Sequence, residues 1–151
     1  MDVHLFVPGI ARTAGSKRAF PIYRGKKGEE RTFTGHVAIV DDAGAKGKQW
    51  RHDVQWMCRA KYSGPPEQGA IRLSLRFVSV RPKCHHRASG AVKDDAPLRP
   101  TTKPDLLKLA RSIEDALTGI LWVDDAQIVT EHLEKEYGST PGVWISAMTL
   151  L

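Results

Sequence analysis

Cysteine is scarce in this chain. The two present, Cys58 and Cys84, stand in different segments without CxxC or His/Cys ligand spacing, so neither a zinc site nor a disulfide framework is indicated, and a reducing cytoplasm is the expected compartment. Long apolar runs are missing too. The longest are a few residues, far short of the roughly 20 that cross a bilayer. The opening MDVHLFVPGIARTAGSK has no basic region followed by a signal-length apolar stretch, so neither secretion nor membrane insertion is expected. No internal repeat or low-complexity tract interrupts the pattern.

What is present is basic charge. The 151 residues carry 23 Lys+Arg against 17 Asp+Glu, a formal charge of +6 and a pI near 9.5. That length suits one domain spanning residues 1–151 with a single core. The charge draws the chain to polyanions and favours a nucleic-acid partner weakly, since many basic proteins bind no DNA.

Val3 to Pro8 reads as a short strand, and Gly9, Gly15 and the Ser16-Lys17-Arg18 cluster predict a loop after it. Between Pro21 and Asp42 the pattern is mixed, with a strand around His36 to Val40 and a turn at Arg24, Lys26 and Lys27. From Lys46 to Tyr62, Trp50, Val54, Met57 and Cys58 recur at helical spacing. Ile71, Leu73, Leu75 and Phe77 then alternate with Arg72, Ser74 and Arg76, the period of a half-buried strand. Residues 79–104 hold prolines and basic groups without a sustained period and form a long basic loop. A helix is expected over Asp105 to Leu117, strands over Ile128 to Tyr137 and Val143 to Met148, and a hairpin joining those two. The fold class is α/β (α+β), a small mixed sheet with helices on one face.

The chemistry concentrates in TKPDLLKLARSIEDALTGILWVDDAQIV, Thr102 to Val129. Asp105 follows Pro104 at a helix entrance, where a carboxylate can cap free amides. Asp124 and Asp125 fall in a turn before a strand, where the bland alternative is a solvated acidic turn. Carboxylates converging from separate elements are what a hard cation such as Mg²⁺ requires in a phosphodiester-cleaving site. His85 and His86, beside Arg87, favour a solvent or phosphate patch over a ligand pair.

The wording of the segment, KPDxxKLxRxxxDALTGxxWxDDAQIV from Lys103 to Val129, resembles the signature of the RusA family of Holliday junction resolvases, especially its phage and actinobacterial branch. The similarity extends less sharply to FVPGIARTAGSKRAF (Phe6 to Phe20), KGKQWRHDV, RPK (Arg81 to Lys83) and EKEYGSTPGVWI. The resemblance implies a Mg²⁺-dependent crossover junction endodeoxyribonuclease, with Mn²⁺ a possible substitute. It also implies a homodimer that acts on four-way junctions in DNA recombination and repair, in a bacterial or phage setting. The family's metal-binding aspartates correspond to Asp105 and Asp125, and Asp124 stands next to the latter. Its active-site lysine corresponds to Arg111, which keeps the charge but exchanges a point-like ammonium for a planar fork. Phosphate contacts are expected from Lys17, Arg18, Arg81, Lys83, Lys103 and Lys108.

One position departs from that pattern. The family's middle aspartate corresponds to Leu107, which cannot bind a metal. On the expected helix, Leu106, Leu109, Ala110, Ile113 and Leu117 form the apolar stripe, and Leu107 lies about 120° from its centre, on the side of Arg111 and Glu114. Glu114, roughly 10 Å along the axis from Leu107, is a poor substitute for the missing carboxylate; Asp124 is better placed. Asp115 is expected to face solvent. Two other readings stand beside the enzyme: a junction-binding protein that lost catalysis through Leu107, and a generic DNA- or RNA-binding domain whose carboxylates are structural.

Overall fold

A computed structural model describes residues 1–150 apart from 16, 27, 29, 42 and 43; for 17, 40 and 41 it describes the backbone alone. The described elements follow the order β1 (Asp2–Pro8), β2 (Lys17–Arg24), β3 (Thr32–Asp41), α1 (Gly44–Lys61), β4 (Ile71–Ser79), α2 (Leu106–Leu117), β5 (Ile128–Tyr137) and β6 (Gly142–Thr149). Short 3-10 turns occupy Lys83–His85 and Asp125–Gln127.

The body is a four-stranded mixed sheet in the order β1-β6-β4-β5. In β4, Ile71, Leu73, Leu75 and Phe77 are buried while Arg72 and Arg76 are exposed, as the period of two requires. The inward residues of β1, β4 and β6 meet Trp50, Val54 and Cys58 of α1 and Leu109, Ile113 and Leu117 of α2 in one hydrophobic core. The other face exposes His4, Arg76 and Trp144, and Arg99 of the long loop reaches Glu134 and Glu136 beside them. There His4, Ser74, Arg76, His132 and Trp144 line a shallow hollow, with the Arg76 guanidinium 5.6 Å from the Trp144 ring centre.

The expected closing hairpin does not form. β5 and β6 follow each other in sequence, yet β4 lies between them, parallel to β5 and antiparallel to β6. Both inner strands carry a buried apolar alternation, IRLSLRF in β4 and GVWISA in β6, and the edge strand β1 shares it. β5, with Glu131, His132, Glu134, Lys135 and Glu136, carries the charge that suits an edge. Where β6 begins, a Cβ on Gly142 would sit 2.4 Å from the carbonyl oxygen of Val7, so only glycine lets β6 close onto β1.

The second difference is at the amino-terminal side. Of the loop expected at Ser16-Lys17-Arg18, Lys17 and Arg18 instead begin β2 and Ser16 lies outside the described residues, while the strand expected at His36 to Val40 is part of β3. These two pair antiparallel as a separate two-stranded ribbon. They pack on one another and on scarcely any other element.

Candidate active site

The entrance of α2 presents Asp105. Its backbone is extended (φ −69°, ψ 131°) and its carbonyl accepts from Leu109 N at 3.1 Å, so it stands at the N-cap position. Its carboxylate makes no capping hydrogen bond and is exposed. The capping role expected of it is therefore not taken up, and the side chain is turned outward. The segment before it is held from β5, where Lys135 Nζ donates to the carbonyls of Thr102 and Pro104, each at 3.0 Å. From the other side, Ala14 N donates to Lys108 O at 2.9 Å, tying the β1–β2 loop to the first turns of α2.

Asp124 does what Asp105 does not. Its Oδ1 accepts from Ala126 N at 2.8 Å, and the Gln127 side-chain oxygen accepts from Asp124 N and Val123 N, both at 2.9 Å. Gln127 Nε2 donates in turn to the carbonyls of Glu67 and Gly69. This is a capping box that anchors the turn to the loop before β4. One Asp124 oxygen is thus committed to backbone, while no bond among the described residues holds its Oδ2. Its neighbour Asp125 is exposed.

Along α2 the apolar stripe is as expected: Leu109, Ala110, Ile113 and Leu117 are buried. Leu107 is 69% exposed and so carries no share of the core. Arg111 is exposed one turn further on. The next residue on that side, Glu114, is half-buried and hydrogen-bonds the side chain of Glu131 on β5. Burial first, then Glu131, then Asp125 and Asp115, push its carboxyl up to about 7. Glu114 therefore belongs to an acidic cluster with Glu131 and Asp125, although its distance from Leu107 along the helix had made it a poor candidate. Glu131 was not among the expected residues; its signal was a charged side chain at an alternating position of a strand that had to face something.

The donor chemistry suits a divalent cation in a limited way. Carboxylates crowded enough to hold a proton on Glu114 near neutrality create the negative potential that a cation relieves. Yet among the described residues no group of three His, Cys, Asp or Glu is arranged to hold a metal ion. Asp105, Asp124 and Asp125 do not form a three-carboxylate cage. What the residues fit is a hydrated ion on one or two carboxylates, the mode Mg²⁺ commonly uses.

The basic residues fall into two groups. Lys83, Lys103 and Lys108 are exposed, the last two flanking Asp105, and Arg18 is exposed on β2. The side chain of Lys17 lies outside the described residues. Arg81 is different. Its guanidinium donates to Pro97 O at 2.7 Å and stacks 4.2 Å from the Tyr137 ring centre, so it ties the long loop to β5. His85 sits edge-on to the same ring, 5.8 Å between centres, and His86 Nδ1 is 3.2 Å from Pro82 O. Among the described residues, no helix is long and apolar enough to cross a membrane.

Comparison with known proteins accords with this arrangement. The family model described as endodeoxyribonuclease RusA matches residues 26–148, a stretch that holds the α2 entrance, the capped turn and β5. The uncharacterized protein YqaN of Bacillus subtilis (strain 168) is 41% identical over 77 residues, covering 50% of this chain and 54% of that protein. The chain thus spans about half the length of the curated relative it matches. The chain belongs to the RusA endodeoxyribonuclease family.

Proposed function

We propose that this protein is a structure-specific DNA endonuclease that resolves four-way (Holliday) junctions in recombination and repair with the help of a divalent cation, Mg²⁺ or in its place Mn²⁺. The observation that carries the proposal is the α2 entrance. Asp105 stands there with its carboxylate uncommitted, braced by Lys135 and flanked by exposed Lys103 and Lys108, inside the stretch matched to the family. The wording of that segment supports a place in the phage and actinobacterial branch.

In this proposal Asp105 and Asp125 hold the cation, and Asp124 contributes chiefly by fixing the turn that carries Asp125. The cation, when bound, polarises a phosphoryl oxygen and lowers the pKa of a water. Lys103, Lys108, Lys83 and Arg18 position the backbone through phosphates. Arg111 steadies the negative charge that grows on the phosphoryl group as the water oxygen bonds to phosphorus and one P–O ester bond breaks. Symmetrical cutting of a four-way junction needs two sites related by a two-fold axis, so the acting species is a homodimer.

The exposed Leu107 favours a second reading, a junction-binding protein of the same family that no longer cuts. Incubating the full chain with a synthetic four-way junction and Mg²⁺ or Mn²⁺ separates the two. Cutting that is lost in Asp105→Asn and Asp125→Asn supports the enzyme. Tight binding without cutting, with cutting gained by Leu107→Asp, supports the second reading. Metal binding that is indifferent to both Asn substitutions supports a generic nucleic-acid-binding domain.

A further inference from the structure

The β2–β3 ribbon has no share in the core, and an isolated two-stranded ribbon is at best marginally stable in water. Its register pairs Ala19 with Ile39, Pro21 with Val37 and Tyr23 with Phe33. Directly opposed residues share a face, so Ala19, Ile39, Pro21 and Val37 line one side of the ribbon, and a register shift separates them from the Tyr23–Phe33 pair at its end. They are exposed: Ile39 is 71% and Val37 54% accessible. At the far end the Tyr23 and Phe33 rings lie 5.9 Å apart. Arg24, Thr32, Thr34 and His36 join Phe33 around a hollow of about 230 Å³, where hydrogen-bond donors surround an aromatic ring. Beyond it the turn carries Lys26 and Arg31.

We propose that this ribbon is a DNA-gripping arm, in which the Tyr23–Phe33 end stacks on bases left unpaired or unstacked at a branch point while Arg24, Lys26 and Arg31 hold the flanking phosphates. The inference rests on the reading of the chain as a DNA-acting protein and adds the element that meets the branch. Three observations favour nucleic acid over a second copy of the chain. The arm is basic by sequence, with Lys17, Arg18, Arg24, Lys26, Lys27 and Arg31 against Glu29, Glu30 and Asp41, so DNA complements it and another arm repels it. Six side chains cover much less than the roughly 800 Å² per partner of a stable protein interface. The arm also springs from the candidate site, because the loop leading into β2 is bonded through Ala14 to Lys108, one turn from Asp105. Aromatic rings beside cationic groups are the usual platform for unpaired bases, and a β-ribbon is narrow enough to enter a groove.

The test measures affinity of the full chain for a four-way junction and for a duplex of matched sequence, by fluorescence anisotropy, with 2-aminopurine at the branch point as a stacking reporter. The variants are Tyr23→Ser/Phe33→Ser and, separately, Arg24→Gln/Lys26→Gln/Arg31→Gln. The aromatic pair lies outside the core, so its removal leaves the thermal melt unchanged. It is expected to weaken junction binding about 10-fold or more, change duplex binding less than about two-fold and abolish the 2-aminopurine response. The charge variant is expected to weaken both substrates and to flatten the dependence of affinity on salt. Undiminished junction affinity in both variants overturns the arm while leaving the DNA reading intact. A wild-type chain that binds neither substrate overturns that reading and the arm with it. Conversion of a dimer to a monomer by the aromatic substitutions assigns the arm to contact between copies and overturns the proposal.

Discussion

Glu114 on α2 and Glu131 on β5 meet as a hydrogen-bonded carboxyl pair, with burial and the nearby Asp125 and Asp115 raising Glu114 to about 7 from an ordinary 4.5. A raised carboxyl pKa means that the folded chain keeps a proton the unfolded chain releases near 4.5. The stabilisation is complete below that pH, falls as pH rises and is gone above about 7. The melting temperature is therefore expected to fall across this window beyond what Glu114→Gln shows. At pH 8 the variant should be the more stable by roughly 1 kcal/mol after allowance for solvent screening. Identical pH profiles in thermal melts of the two proteins would contradict the shared proton.

Lys135 links the edge strand to the site through its bonds to the Thr102 and Pro104 carbonyls. Lys135→Met retains the stem and removes the donors. Losing a charged donor to two carbonyls costs about 1.5–3 kcal/mol, and the loss should be local to the segment before Asp105. Limited proteolysis between residues 79 and 104 is expected to quicken several-fold with little change in the overall melt. A cleavage rate equal to that of the wild type would show that the clamp does not order this loop.

The two cysteines should behave as opposites. Cys58 is buried against the sheet, and burial, partly offset by Arg59, pushes its thiol up to about 11; Cys84 is exposed. Because the thiolate is the reactive form, a disulfide-exchange reagent at pH 8 should titrate one thiol quickly in the native protein and the second only after denaturant is added. Two fast thiols would show that α1 does not pack as described.

Elements with a strong local period were legible in the sequence. The α2 stripe of Leu109, Ala110, Ile113 and Leu117 and the alternation of Ile71 to Phe77 each declare a buried face, and Ile128–Tyr137 has the bounds expected of it. Pairing was less legible, because β5 joins β4 instead of β6 through burial of the whole sheet and not through the turn between them. Of the β2–β3 ribbon only His36 to Val40 was legible as a strand, since Pro21 and Gly35 interrupt its pattern and its apolar residues face solvent. For the proposed site, Asp105 and the Asp124-Asp125 pair stand out by position, at a helix entrance and in a turn, and the family wording is what assigns a metal role to Asp105 and Asp125. The capping role of Asp124 was encoded locally, in the Gln127 three residues on, whereas the Glu114–Glu131 contact depends on a helix–strand register that no local pattern reports.

Cleavage of a four-way junction tests the central claim most directly. The chain is mixed with a labelled synthetic junction and Mg²⁺ or Mn²⁺, and products are resolved beside those of Asp105→Asn and Asp125→Asn. The expected result is paired, symmetrical incision by the wild type, at least about 100-fold slower in either variant, as loss of a group stabilising the transition state by several kcal/mol requires. Absence of incision with either metal at a protein concentration that saturates the junction would contradict it.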